Sequence, residues 1–269
     1  MDQQHSGLAK DVDMETASAA RCYDYYLGGA HNFAVDRELA QKVEAQVPQV
    51  RDLAQDNRAF LRRAVRYCLD RGIRQFLDIG SGIPTVGNVH EIAQAVDPEA
   101  RVVYVDNEPV AVAHSRTILD GNDNADVVQA ELEDVDGVLD SPEANRLLNF
   151  DEPVAVMMLA LFHFVPESAR PREILRRYHE RMARGSYLGF SHLTEDAHAE
   201  YMHSLVDLYK NSSNPLVARS RHQIAELLQD FDPVDPGVVY VPEWRPETEE
   251  DRWEDPSRSL AYGVVGYKA

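Results

Sequence analysis

From residue 75 onward, short apolar runs alternate with amphipathic stretches at near-regular intervals. This periodicity predicts strands at 75–79, 101–105, 126–129, 154–159, 186–190, 238–241 and 261–267. Helices are predicted between them at 88–96, 108–119, 142–148, 171–184 and 221–229, with Pro98, Pro109, Gly121, Pro142, Pro153, Pro171, Gly185 and Pro236 punctuating the boundaries. Strands that alternate with helices form a mostly parallel sheet covered on both faces. No helix is predicted between the last two strands, so they are expected to form an antiparallel edge pair. Ahead of residue 73 the pattern is helical, with segments at 18–29, 36–45 and 52–69. The expectation is a disordered polar tail over 1–17 and one domain over 18–269, made of a helical cap (18–72) and an α/β core (73–269). Two stretches break the rhythm, 194–220 and 242–259, and long connections of this kind are lids, binding loops or linkers.

Charge narrows the partners. A net charge of −19 argues against nucleic acid and against a membrane surface, because phosphate binding needs concentrated Lys and Arg. The local cluster Arg58, Arg62, Arg63 and Arg66 has helical spacing and is expected to form a solvated helix face. With only Cys22 and Cys68, no apolar leader and no apolar run long enough to span a bilayer, a cytoplasmic protein is expected. Oligomeric state is not legible.

The candidate chemistry sits after the first predicted strand. Asp78 precedes the turn Gly80-Ser81-Gly82, and Asp106 ends the second strand. A βαβ unit of this form places a ribose-bearing ligand across the strand ends: the glycines admit close approach, and the second acid accepts hydrogen bonds from the ribose hydroxyls. A dinucleotide fingerprint wants Gly or Ala six residues into the motif, but Thr85 stands there, with Pro84 in the turn. A carboxylate at Asp78 repels pyrophosphate and suits an ammonium group, though capping the next helix is the alternative.

These residues resemble motif I and the following acidic motif of the class I S-adenosylmethionine-dependent methyltransferases. The resemblance narrows with Arg21–Gly29 (RCYDYYLGG), Asn32-Phe33, Asn57–Val65 (NRAFLRRAV), Phe76–Thr85 (FLDIGSGIPT), Leu161–Val165 (LFHFV) and Val238–Arg245 (VVYVPEWR). Together they look like an actinobacterial methyltransferase-like family formerly grouped as a domain of unknown function. It implies a Rossmann-like class I fold: a seven-stranded, mostly parallel sheet with an antiparallel edge strand and an N-terminal helical cap. S-adenosyl-L-methionine is the implied cofactor and a small molecule the expected acceptor. By position, Asp78, Gly80, Ser81 and Gly82 would hold the methionine end, Asp106 the ribose, and Glu131 with Leu132 the adenine. A plain loop carboxylate is the alternative for Glu131, and Asp134 competes with it. Arg21 would pair with the methionine carboxylate, with Tyr23 and Asn32 at the same mouth, unless this helix docks aromatic side chains on the core.

Methyl transfer depends on alignment, worth about 7–11 kcal/mol in well-oriented pairs, and needs a base only when the acceptor must lose a proton. His163, at the end of the fourth strand, is the leading base candidate and His192, ending the fifth, the second. The spacings of His198, His203 and His222 match no familiar zinc arrangement, and no metal is expected. Trp244, Trp253, Tyr201 and Tyr209 are candidates for a pocket wall or for packing, and the acids Glu247, Glu249, Glu250, Asp251, Glu254 and Asp255 for a solvated loop. A non-catalytic binder of the same cofactor and a nicotinamide-dependent oxidoreductase are the rival functions.

Overall fold

The parallel strands β1 (Gln75–Ile79), β2 (Arg101–Asp106), β3 (Ala125–Gln129), β4 (Ala155–Met158) and β5 (Tyr187–Leu193) are apolar on both faces, as a sheet covered on both sides requires. The computed structural model describes residues 12–85, 87–248 and 253–269. Within each strand, side chains alternate between two cores. Phe76, Val102, Tyr104, Ala155 and Met157 face one, and Leu77, Val103, Val105, Val156 and Met158 the other.

Helices α3 (Val50–Leu69), α4 (Val89–Val96) and α5 (Pro109–Ile118) contribute to the first core. The second takes α6 (Val135–Leu139), α7 (Pro142–Leu147), α8 (Pro171–Arg181) and α10 (Arg221–Leu227). The strand order is β3-β2-β1-β4-β5-β8-β6, where β6 is Asp232–Pro233 and β8 is Ala261–Tyr267; β7 (Val239–Tyr240) also pairs β8. The order reverses between β1 and β4, which opens a crevice beyond their carboxyl ends.

The structure differs from the sequence expectation at several points, among them the unexpected α6. The strand expected at 238–241 is the two-residue β7, which pairs antiparallel with β8 as expected; the unexpected β6 makes eight strands, and β8 lies between β5 and these short pieces rather than at the edge. The expected cap shrinks to α1 (Ala19–Tyr26) and α2 (Ala34–Gln46), because α3 packs directly on β4, β5 and β8. The 194–220 stretch carries its own helix, α9 (Ala199–Tyr209), packed on α2.

The disorder expected of the tail lies outside the described residues for 1–11. Ala17 is buried, and its carbonyl accepts from the Ser213 amide. Glu249, Glu250 and Asp251 also lie outside the described residues. Among the described residues, no helix is long and apolar enough to cross a membrane.

Gly28 and Gly29 close α1 as a helix cap. The Gly28 amide donates to Tyr25 O and that of Gly29 to Asp24 O, with Gly28 at φ +81°.

Candidate functional site

A cavity of about 530 Å3 opens at the carboxyl ends of β1, β2, β4 and β5, roofed by α1, α3 and α9. Asp78, Gly80, Ser81, Gly82, Asp106, Glu131, Leu132, His163 and Tyr23 all line it. Residues far apart in the chain meet there because parallel strands deliver every carboxyl end to one side.

The turn after β1 is held by the next strand. The Gly80 and Ser81 amides donate to Val105 O at 2.8 and 3.2 Å. Gly80 has φ +70°, and a Cβ there would stand 2.6 Å from Leu161 Cδ1. The backbone therefore favours glycine, and any side chain would also have to displace Leu161.

Asp106 ties two loops together: Oδ2 accepts from the Gly82 amide at 2.7 Å and Oδ1 from the Glu108 amide at 2.9 Å. A carboxylate has about four lone-pair sites, so it retains acceptor capacity toward the cavity. Burial pushes the Asp106 carboxyl up to about 6, against the lowering effect of those amides. Burial likewise raises Asp78 to about 7; Arg58 opposes the rise and Asp106 adds to it. Two buried acids side by side favour a ligand that brings positive charge and hydroxyl donors.

Glu131 is exposed at the rim, its Oε2 accepting from Asn107 Nδ2 at 2.9 Å. Its competitor Asp134 is spent as the cap of α6, accepting from the Gly137 amide.

Three expected site residues do not line the cavity in this structure. Arg21 is buried, and its donors go to Asp36 Oδ2 (2.8 Å), Glu108 Oε1 (2.9 Å) and Thr16 O (2.7 Å). These bonds fasten α1 to α2 and to the start of α5, and Arg21 does not line the cavity. Asn32 is occupied with Asp24 and Gly29 O inside the α1–α2 connection. His192 is fully buried and does not line the cavity. Its Nδ1 donates to Leu193 O at 2.7 Å while Nε2 accepts from Arg219 Nη1 at 2.8 Å, and burial pushes it down to about 3.

Arg219 is equally buried and also donates to Phe162 O, Val165 O and Glu167. It thereby fixes the short 3-10 helix Phe162–Phe164 that carries His163. His163 Nδ1 is buried and has no hydrogen-bond partner among the described residues. Burial, aided by His192 and Arg219, holds its pKa well below the ordinary value, so the ring is neutral near pH 7.

Arg58 and Asn57 line the cavity although the sequence reading gave them no site role. Asn57 belongs to a polar chain along the wall. Ser191 Oγ accepts from the Ala160 amide (2.8 Å) and donates to Asn57 Oδ1 (2.6 Å). Asn57 Nδ2 donates to Tyr23 Oη, which donates to Ala54 O at 3.0 Å. The chain secures Ala160 at φ +52°, a strained value for a residue with a side chain. Their adjacency in the motif Asn57–Val65 was the available signal.

Of the aromatic candidates only Tyr209 lines the cavity. Trp244 is core, edge-on to Phe60 and Tyr67. His198 pairs with Asp255, His203 with Glu195 and His222 with Glu226, and no group able to hold a metal occurs among the described residues.

A profile of the S-adenosyl methyltransferase family matches residues 5–269. A DUF574 family protein from Streptomyces avermitilis is 35% identical across 96% of this chain and 99% of its own, with a TM-score of 0.92. A candidate methyltransferase from Thermobifida fusca is 34% identical across 100% of this chain and 99% of its own, with a TM-score of 0.89. The N-methyltransferase NodS from Bradyrhizobium japonicum, solved with S-adenosyl-L-homocysteine, covers 86% of this chain and 97% of its own at 11% identity and a TM-score of 0.51, a likeness of fold alone. No curated protein matches.

The cavity residues fit the cofactor of that family. Ser81 Oγ is buried without a partner among the described residues, the space beside Gly82 is open, Asp78 is a buried carboxyl, and Asp106 keeps acceptor capacity beyond its two amide bonds. The chain belongs to the S-adenosyl methyltransferase family, and S-adenosylmethionine is its cofactor.

Proposed function

We propose that the chain transfers a methyl group to a small molecule held in this cavity. In this reading Asp78, Arg58, Gly80, Ser81 and Gly82 surround the amino-acid end of the cofactor, Asp106 takes the ribose hydroxyls, and Glu131 with Leu132 borders the base. The observation that carries it is the meeting of two buried carboxyls with a glycine turn in one cavity. Asp78 offers a counter-charge to an ammonium group, and Arg58 one to a carboxylate.

Bound there, S-adenosylmethionine supplies an electrophilic methyl carbon on a sulfonium centre. The chain's own contribution is to align the acceptor and exclude water, through the walls that α1 and α9 close over the strand ends. His163 is the catalytic candidate. A neutral imidazole of low basicity accepts a hydrogen bond from the acceptor and takes its proton only as attack proceeds.

Calorimetric titration with S-adenosylhomocysteine, with NADH as control, tests the cofactor assignment. Asp106→Ala is expected to weaken the nucleoside by ~1–3 kcal/mol through lost charge-assisted hydrogen bonds. Unchanged affinity with the fold intact by circular dichroism removes Asp106 from the site.

A further inference from the structure

The cavity has two chemically distinct halves. Its charged lining residues among those described are Arg58, Asp78, Asp106, Glu108, Glu131 and Glu133. All lie on α3 or beyond β1, β2 and β3. The half beyond β4 and β5 is walled by Tyr26, Phe164, Leu193, Leu205, Tyr209 and Leu216, and carries no charged side chain among the described residues.

The polar atoms of this second half are already engaged with one another. The Tyr26 and Tyr209 hydroxyls share a hydrogen bond of 3.2 Å, and burial raises both phenols, so both stay neutral. Tyr23, Asn57 and Ser191 satisfy each other in the chain already described. Among its buried polar side chains the exception is His163, 5% exposed, whose Nδ1 is buried and has no partner among the described residues; Ser213 and Asn214, less buried, line the same half. The nearby guanidinium of Arg219 is spent on Glu167, on carbonyls and on His192.

Resting on the methyltransferase reading, we infer that the acceptor is an uncharged, mostly apolar molecule, aromatic in its best form, whose one hydroxyl meets His163. An ionised acceptor entering this half would lose its hydration and find no opposite charge, a penalty that burial makes large. An alkyl primary amine is excluded on the same ground, since it arrives as an ammonium ion. A hydroxyl arrives neutral and brings the donor that His163 lacks. On transfer the oxygen–carbon bond forms as the sulfur–carbon bond breaks, sulfur keeps the electron pair, and the hydroxyl proton passes to the imidazole and on to water.

The test is a charge series on one ring. 2-Naphthol, 2-naphthoate and 2-naphthylmethylammonium are titrated calorimetrically at pH 7.5 into the full-length chain, both free and loaded with S-adenosylhomocysteine. The naphthol is expected to bind at least about tenfold more tightly than either ion. In His163→Leu it is expected to lose on the order of fivefold, while 2-methoxynaphthalene, which has no hydroxyl to donate, is unchanged. Equal or tighter binding of either ion overturns the inference, as does failure of the naphthol to bind up to its solubility limit. The series in the free chain reads the charge preference by itself, so failure of the nucleoside to bind strikes the cofactor assignment separately.

Discussion

Replacing Asp78 with Asn should stabilise the free protein while damaging its site. The carboxyl is 7% exposed and is pushed from an ordinary 3.8 to about 7, chiefly by burial, with Arg58 offsetting part of the cost and Asp106 adding to it. A tenfold change in a protonation equilibrium is ~1.4 kcal/mol, so holding this group ionised in the folded chain costs up to about 4 kcal/mol. The sign follows from proton counting. Between about pH 4 and 7 the folded chain keeps a proton on Asp78 that the unfolded chain has lost, so rising pH destabilises the fold across that window. Asn carries no charge at any pH. The advantage of Asp78→Asn should therefore be near zero at pH 4, grow through pH 7 and level off above it, at about 1–4 kcal/mol. Urea unfolding followed by circular dichroism from pH 4.5 to 8.5 measures it, and a parallel melting experiment should show ~2–4 °C per kcal/mol. In the same preparation S-adenosylhomocysteine should bind about tenfold more weakly or worse, as the ammonium loses its counter-charge. A variant less stable than the parent at pH 8, or a difference that does not vary with pH, would refute the reasoning.

Three further outcomes follow from the geometry. Gly80→Ala should cost ~1–3 kcal/mol of stability from φ strain and the clash with Leu161, and adding Leu161→Ala should recover only the clash; a double-mutant cycle by urea unfolding separates the two. Arg219→Met should cost about 3–5 kcal/mol, because His192 Nε2 and the carbonyls of Phe162 and Val165 lose their donor; a loss under about 1 kcal/mol in chemical unfolding would mean the buried cluster re-pairs without it. Arg58→Met should weaken S-adenosylhomocysteine about tenfold with little effect on adenosine, and equal effects on both ligands would place Arg58 away from the carboxylate.

The α3 arginines show why some of the site was illegible. Helical spacing groups Arg58, Arg62, Arg63 and Arg66, and a solvated face was the natural expectation. It holds for Arg62 and Arg66, which reach Glu247 from half-exposed positions. Arg63 is buried and donates to Trp244 O and Val241 O, while Arg58 enters the cavity. Periodicity orients residues about one helix axis but does not say which foreign backbone approaches that face. Arg21 and His192 went astray for the same reason: each residue type suits ligand chemistry, and each is consumed by partners distant in the chain.

The sequence by itself determined the alternation of strands and helices, the glycine turn between two strand-end acids and the placement of His163, because local periodicity and chain direction suffice for these. It also carried the motifs that identify the cofactor. Tertiary structure alone decided that β8 enters the sheet inside its edge, that α9 closes the cavity, and that the half beyond β4 and β5 is without charge among the described residues. It also decided which polar groups are spent and which, like His163 Nδ1, are left over. Those outcomes depend on pairings between distant segments, such as Ser191 with Asn57, 134 residues apart, and Tyr26 with Tyr209, 183 apart, and hydrogen-bond satisfaction is a property of the packed whole.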